Sequence, residues 1–574
     1  MFLGKGRVVR LLVALMTGLS SISVARGMRL NPITNNNRFG YLAQGKLNML
    51  NKERLLGFLF VINIILIILY IMYLSHDQHA NKSDQTLPYK AHSLGRSHYQ
   101  SKTEQSVKNV AVSNTITNFE VIPSRSDLTN NSYFIKTGLN KAYFWLERKH
   151  DSQYEGIQRL KEYCNSPYDK VSGEEGVVPT DYKVVSVHVL IRHGDRTPMI
   201  PVNNLNISCN FDDIVNRSIL LQRYLEYMKS YAVWKNNPFS AILSPFPNSA
   251  VCSLSQLTGQ GAMQHLNNGD FLRNVYIKRW KLLEDDGLRQ KSEVHVRSTV
   301  YSRTYQSAVA FLFGFIPNFK LEALPIKPQA GIYFCSTYHT GFNCACAAAS
   351  QYHSMAEKAR STISKNDKLW LSVKRDLLKM VKNGQQWLNG LFDISTAHIC
   401  HGIVPPCFTP GCMKEYINMT SRVIKVKDRL GHENIYNEAY QKFQRLAIHP
   451  LIFEIALRMF NQTRSLNVPK FVLYSGHDLT VTALSVALGV NNGEWPKYAT
   501  RFVLELIQSK NGSKFYIRAI FNGKDITSKV LFCQGKLEEG LCPANEFFMF
   551  VLKEHIRKYF DDSSYFKACL KANI

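Results

Sequence analysis

Apolar and polar positions along this chain follow three different rhythms. Leu55 to Leu74 is one unbroken apolar run of 20 residues, with no charge and a single amide, Asn63. That is the length a helix needs to cross the hydrocarbon core of a bilayer. From residue 75 to about 155 the chain turns polar, rich in Ser, Asn, Lys and Thr, and reads as a stem. Beyond it, alternation with a period of two sets in. In YKVVSVHVLIRHGDRTP, Val185, Val187, Val189 and Ile191 alternate with the opposite face, which predicts a strand ending near Arg192. EVHV precedes a helical pattern over Thr304 to Phe313, and Phe471 to Tyr474 precedes a Ser475-Gly476 turn and a helix from Leu479 closed by Gly489. Three strand–turn–helix units predict an α/β sheet whose ligands gather at the carboxyl ends of its strands. Residues 350–468 read as mainly helical and predict a capping subdomain, with Leu369, Leu371, Leu377, Leu378 and Met380 as its packing stripe. FFMFVLKEHI, from Phe547, is too short to span a membrane and predicts an amphipathic helix. The resulting partition is a basic tail (1–54), a membrane span (55–74), a stem (75–155) and a catalytic domain (156–574).

Charge gives the span a direction. The chain of 574 residues carries a formal net charge of +27. Residues 1–54 hold nine Lys or Arg and one acid, whereas the rest holds 61 basic and 42 acidic residues. Basic residues stay cytosolic beside a span, so the domain after it is expected in a lumen, as in a type II membrane protein. Two independent counts agree. Every Asn-x-Ser/Thr acceptor follows the span: Asn81, Asn130, Asn206, Asn216, Asn418, Asn461 and Asn511. All 12 cysteines follow it too, as expected of a disulfide-forming compartment. Residues 1–27 resemble a cleavable signal, which would reverse the topology, so an alternative start at Met28 or Met49 is the expectation here. With hydrophobic residues at 45% and charged residues at 20%, most of the chain should form a packed core. The basic excess reads as a solvated surface or as attraction to anionic partners such as phosphorylated or sulfated glycans, and with no zinc-finger or RNA-binding signature nucleic acid ranks low.

The three turns carry the candidate chemistry. They offer Arg192, His193 and Arg196, then Arg297 and Arg303, then His477 and Asp478. Arginine forks match the oxygens of a phosphate monoester, and a histidine among them is available as a neutral nucleophile. An aspartate across from it can protonate a leaving oxygen. Neither metal nor cofactor is required. Cys400, between His398 and His401 in AHICHG, suggests a disulfide flanked by solvent-facing histidines more than a metal site. Cys344 and Cys346, two apart, suit two separate disulfides.

At these residues the sequence resembles the histidine acid phosphatase family of the phosphoglycerate-mutase-like superfamily. The family's RHGxRxP motif is matched by Arg192 to Pro198. LTGQGAMQHLNNGDFLRNVY resembles a second family segment, with Asn268 where leucine is usual, and Arg297 to Pro317 resembles a third. His477-Asp478 matches the family's HD pair. The resemblance implies a sheet flanked by helices with a helical cap, and a metal-independent mechanism through a phosphohistidine. His193 is then the nucleophile, Asp478 the acid, and Arg192, Arg196, Arg303 and His477 hold the phosphoryl group. Arg297 is expected to orient the helix that presents Arg303. An N-terminal anchor with a luminal domain resembles the family's Golgi branch. That implies a phosphorylated glycan of the glycosaminoglycan linkage region on proteoglycan core proteins, and association with Golgi glycosyltransferases. A broad acid phosphatase and an inactive anion-binding luminal protein are the competing readings.

Overall fold

The computed structural model describes residues 161–165, 171–199, 218–231, 251–284, 292–335, 344–380, 390–401 and 413–571, together with Ile207, Ser244 and Phe246. The span at Leu55–Leu74, the stem, and acceptors Asn81, Asn130, Asn206 and Asn216 lie outside the described residues. Among the described residues, no helix is long and apolar enough to cross a membrane.

A mixed sheet organises the domain. Its strands are β1 (Tyr182–Arg192), β2 (Val294–Thr299), β3 (Lys327–Gln329), β4 (Phe471–Gly476), β5 (Arg501–Ser509), β6 (Phe515–Phe521), β7 (Lys524–Asp525) and β8 (Cys542–Pro543). The order is β3-β2-β4-β1-β5-β6-β7, with β8 beside β6. β1, β2, β3 and β4 run parallel, and β1 then pairs antiparallel with β5. Of these, β1, β2 and β4 are the predicted strands, and the short β3 was not foreseen. The β5–β6 hairpin was not foreseen: RFVLELIQS is buried over its first seven residues and shows no alternation of exposure.

Side-chain alternation along β1 sorts residues to two cores. Val187, Val189 and Ile191 join one cluster with Leu266, Phe311 and Phe315. These last three come from α2 (Gly259–Leu272) and α3 (Ser302–Phe315), which follow α1 (Ile219–Tyr231). α2 and α3 cross with backbones in contact, since a Cβ on Gly269 would clash with the carbonyl of Phe311. Leu190 faces the other way, into a cluster with Val472, Tyr474, Ile452 and Leu484.

The remaining helices are α4 (Ala347–Asn366), α5 (Lys368–Met380), α6 (Leu391–Cys400), α7 (Met413–Tyr436), α8 (Glu438–Thr463), α9 (Asp478–Leu488), α10 (Ala544–Met549), α11 (His555–Phe560) and α12 (Tyr565–Leu570). The described residues between 350 and 463 are mainly helical, and Ile448, Leu451, Ile455 and Met459 of α8 pack against the sheet. The expected leucine stripe is corrected. Leu371 and Leu378 are exposed, while Val373 is buried. Residues 369 and 371 lie about 200° apart on a helix, so one face cannot bury both. Phe547, Phe548, Phe550 and Val551 bury the apolar face of the predicted C-terminal helix. Disulfides join Cys164 to Cys400, Cys335 to Cys344, Cys346 to Cys569 and Cys533 to Cys542. Cys344 and Cys346 therefore serve separate bonds.

Candidate active site

The loops after β1, β2 and β4 meet at the carboxyl edge of the sheet. Arg192 closes β1 by donating its N–H to Thr500 O (2.9 Å). His193 continues the ladder, donating to Gly476 O (3.0 Å) and accepting from Ala499 N–H (3.1 Å). The histidine is thus held by the chain on both sides of β1. The loop then turns directly over α2, and a Cβ on Gly194 would collide with the backbone of Gly261.

His193 is buried, and its Nδ1 lies 2.8 Å from Gly194 O. Only a protonated Nδ1 satisfies that carbonyl, which leaves Nε2 with its lone pair. Burial, then the charges of Arg192, Arg303 and Arg196, push the imidazole well below its ordinary pKa. The ring is neutral and aimed by its own backbone.

Arg192 is fully buried between two rings, its guanidinium 4.9 Å from the Tyr163 centroid and 4.2 Å from that of Tyr498. Its Nη1 donates to Pro496 O (2.7 Å), and its Nη2 stands 3.2 Å from Asp478 Oδ2. Arg196 pairs with Asp393 of α6 at 2.8 Å and donates to Thr197 O (2.9 Å). Arg303 enters from the first turn of α3, which begins two residues earlier than predicted, with its guanidinium 4.6 Å from the Tyr301 ring. Burial and the nearby Arg196 bring Arg303 down to about 10, which leaves it charged at neutral pH.

His477 precedes α9 and caps it. Its Nε2 lies 2.9 Å from Thr299 Oγ1, its Nδ1 3.5 Å from Arg303 Nη2, and its ring meets that of His193 edge-on at 5.6 Å. Burial and Arg303 hold it neutral, down to about 3. Asp478 opens α9, where the helix N-terminus favours an anion. Burial alone would raise its carboxyl, but Arg192 and Arg196 outweigh burial and hold it below the usual range.

All six predicted site residues therefore converge. Arg297 does not join them: it is buried against Glu454, Gln329 and the carbonyl of Phe334 (3.1 Å). Glu454 in turn bonds Tyr474 and Arg458, so Arg297 ties β2 to α8. Asn268, the departure from leucine, donates to Ala499 O (2.9 Å) and accepts from Arg501 (3.3 Å). Those bonds brace the strand start behind His193. His401 is a correction: it is not solvent-facing, but stands 2.8 Å from the buried carboxylate of Asp195. Tyr163, Tyr498, Asp393 and Lys427 were not foreseen as site residues. Lys427, over the Trp495 ring at 3.5 Å, is brought down to about 8 by burial and Arg360. Among the described residues, no cluster could hold a metal ion.

A dianion with one ester oxygen fits this arrangement. Three guanidiniums can take its free oxygens, a neutral imidazole faces the phosphorus, and a carboxyl stands across from it. The family model described as "Histidine phosphatase superfamily (branch 2)" matches residues 183–370 and 423–522. The chain is 28% identical to "2-phosphoxylose phosphatase 1" of Homo sapiens over 421 residues, covering 71% of this chain and 85% of the relative. It is 30% identical to the Mus musculus protein of the same name over 423 residues, with the same shares covered. Among solved structures, it is similar to a multiple inositol polyphosphate phosphatase of Bifidobacterium longum complexed with inositol hexasulfate. That match has 15% identity and a TM-score of 0.43, covering 68% of this chain and 98% of the other.

Proposed function

Because the chain belongs to branch 2 of the histidine phosphatase superfamily and is a phosphomonoesterase hydrolase, we propose that it removes the 2-phosphate from a xylose. That xylose lies in the region joining glycosaminoglycan to protein, and the reaction proceeds through a phosphohistidine. His193 Nε2 attacks phosphorus as the bond to the sugar oxygen breaks, and Asp478 gives that oxygen a proton. Water then attacks the phosphohistidine, Asp478 takes back a proton, and the P–N bond breaks to release inorganic phosphate. Arg192, Arg196, Arg303 and His477 hold the phosphoryl oxygens, and their donors are already in position before charge develops.

The observation that carries this reading is the neutral His193 faced by three guanidiniums and one carboxyl. Asp478 must be protonated to act as the acid, and the dianion itself supplies the means. Its oxygens draw Arg192 and Arg196 away from the carboxylate and add negative charge beside it, both of which raise the aspartate's affinity for a proton.

A glycan substrate is supported by the names of the two relatives and by room next to the acid. A cleft of about 1070 Å³ flanks Leu479, the neighbour of Asp478, and is lined in part by Tyr333, Phe443, His353 and Lys327. Aromatic rings suit sugar faces, and among the described residues the cleft has no carboxylate to repel an anionic chain. The reading also places the domain in the Golgi lumen behind the Leu55–Leu74 anchor. Asn418 and Asn511 are exposed, as glycosylation requires, and Asn461 is half-buried.

Full-length protein assayed on phosphorylated linkage oligosaccharide, AMP and phytate tests the substrate. A kcat/KM at least tenfold higher on the oligosaccharide is expected. Equal values would favour a broad acid phosphatase.

A further inference from the structure

Two residues past the proposed nucleophile, Asp195 sits fully buried without touching the phosphate-binding side chains named above. Its backbone N–H donates to Gln264 Oε1 (2.8 Å), and its carboxylate accepts from Thr258 Oγ1 (2.5 Å). His401 Nε2 stands 2.8 Å from the same carboxylate oxygen. His401 directly follows Cys400, which is bonded to Cys164, and Cys164 O accepts from Gln264 Nε2 (2.7 Å). These links form a closed ring: Asp195, Gln264, Cys164, Cys400, His401 and back to Asp195.

The ring bears on one peptide plane. The group joining Gly194 to Asp195 presents its carbonyl to His193 Nδ1 and its N–H to Gln264. A peptide is planar, so whatever fixes the Asp195 end fixes the carbonyl that aims the nucleophile. The same helix that ends at His401 also carries Asp393, whose carboxylate holds Arg196 and the N–H of Met199 (2.6 Å). Helix α6 therefore grips the nucleophile loop at two points.

We infer that His401 is a positioning residue for phosphoryl transfer, acting through Asp195 and the Gly194–Asp195 peptide on the orientation of His193. Without His401 the buried carboxylate keeps Thr258 Oγ1 as its donor, and a rotation about that one remaining bond would turn the peptide with it. Burial opposes the charge on His401, and Asp195 outweighs burial to keep the imidazole protonated above its ordinary range. The inference rests on His193 being the nucleophile, which His193→Ala tests separately: if that variant turns over, the nucleophile assignment fails before His401 is considered.

Full-length protein, purified in detergent from a secretory host, is assayed on p-nitrophenyl phosphate. His401→Gln should lower kcat about 10- to 100-fold, the scale of a small misplacement of a reacting group. KM should change less than about threefold, because the arginines stay in place. His401→Ala should recover at least several-fold on addition of imidazole. The double variant Asp195→Asn/His401→Gln should lose little more activity than either single variant, since both changes break one link. Unchanged kcat in His401→Gln, or multiplicative losses in the double variant, would overturn the inference. So would a fall in kcat matched by a lower melting temperature with no imidazole response, which marks a merely structural role.

Discussion

Arg192 Nη2 lies 3.2 Å from Asp478 Oδ2, so the arginine beside the proposed nucleophile is also the partner of the proposed acid. Arg192 ends β1 opposite Gly476, the last residue of the parallel strand β4, and Asp478 follows two residues later at the start of α9. Ligand and acid thus share one guanidinium, which couples substrate binding to the aspartate's protonation.

That coupling predicts how Asp478→Asn fails. A poor leaving group needs a proton in the transition state and a good one does not. The variant should lose at least 100-fold more kcat on an alkyl phosphate than on p-nitrophenyl phosphate. Equal losses on the two would sink the acid role.

His193→Ala should abolish turnover while the protein still melts cooperatively. In the wild type, the nucleophile's share of activity should persist as pH falls well below 6.5, because burial and the arginines keep the imidazole neutral there. A pH–kcat/KM profile with an acid limb near 6.5 traceable to His193 would contradict the geometry.

Stability should follow the opposite course. His188, His193, His265, His449, His477 and His555 are all held neutral, with burial as the largest cause. Once unfolded they protonate near pH 6.5, so below that pH the unfolded chain binds more protons than the folded one. Their contribution is intact above about 6.5 and lost below it, at about 1.4 kcal/mol per pH unit for each histidine. His401 works the other way, its pairing with Asp195 being present in acid and lost as pH rises through its raised value. Six outweigh one. Urea midpoints should drop steadily from pH 7 to pH 5, and a flat profile would refute this.

Arg297 and Arg303 should separate cleanly. Arg297→Met leaves the buried Glu454 short of its main partner, a loss of about 3–5 kcal/mol. Arg303→Met removes a half-buried charge that other arginines repel, so activity should fall by an order of magnitude or more with little change in melting temperature. Thermal unfolding alongside kcat/KM on the same preparations distinguishes the two.

Much of this was legible because the chemistry sits where local patterns end. Alternation along β1 located Arg192 and His193, and the strand-to-helix switches after β2 and β4 located Arg303 and Asp478. Tyr163, Tyr498 and Asp393 left no such trace: each reaches the site from a segment whose sequence reads as unremarkable loop or helix. His401 was misjudged because its neighbour in the chain, Cys400, explained the motif, whereas its neighbour in space, Asp195, lies over 200 residues earlier. The β5–β6 hairpin escaped because a strand buried on both faces loses the alternation that marks strands. The leucine stripe expected on α5 failed because counting leucines ignored the helical period: residues 369 and 373 share a face, and Leu371 and Leu378 lie on the opposite, exposed one.

The meeting of Gly194 and Gly261 leaves no room for even a methyl group between the nucleophile loop and α2. The loop is consequently a part that protein engineering cannot adjust: a larger residue at either glycine shifts the attacking nitrogen itself. Side chains outside the loop, such as Lys427, whose charge acts on Arg192 and Asp478 from α7, carry no such constraint.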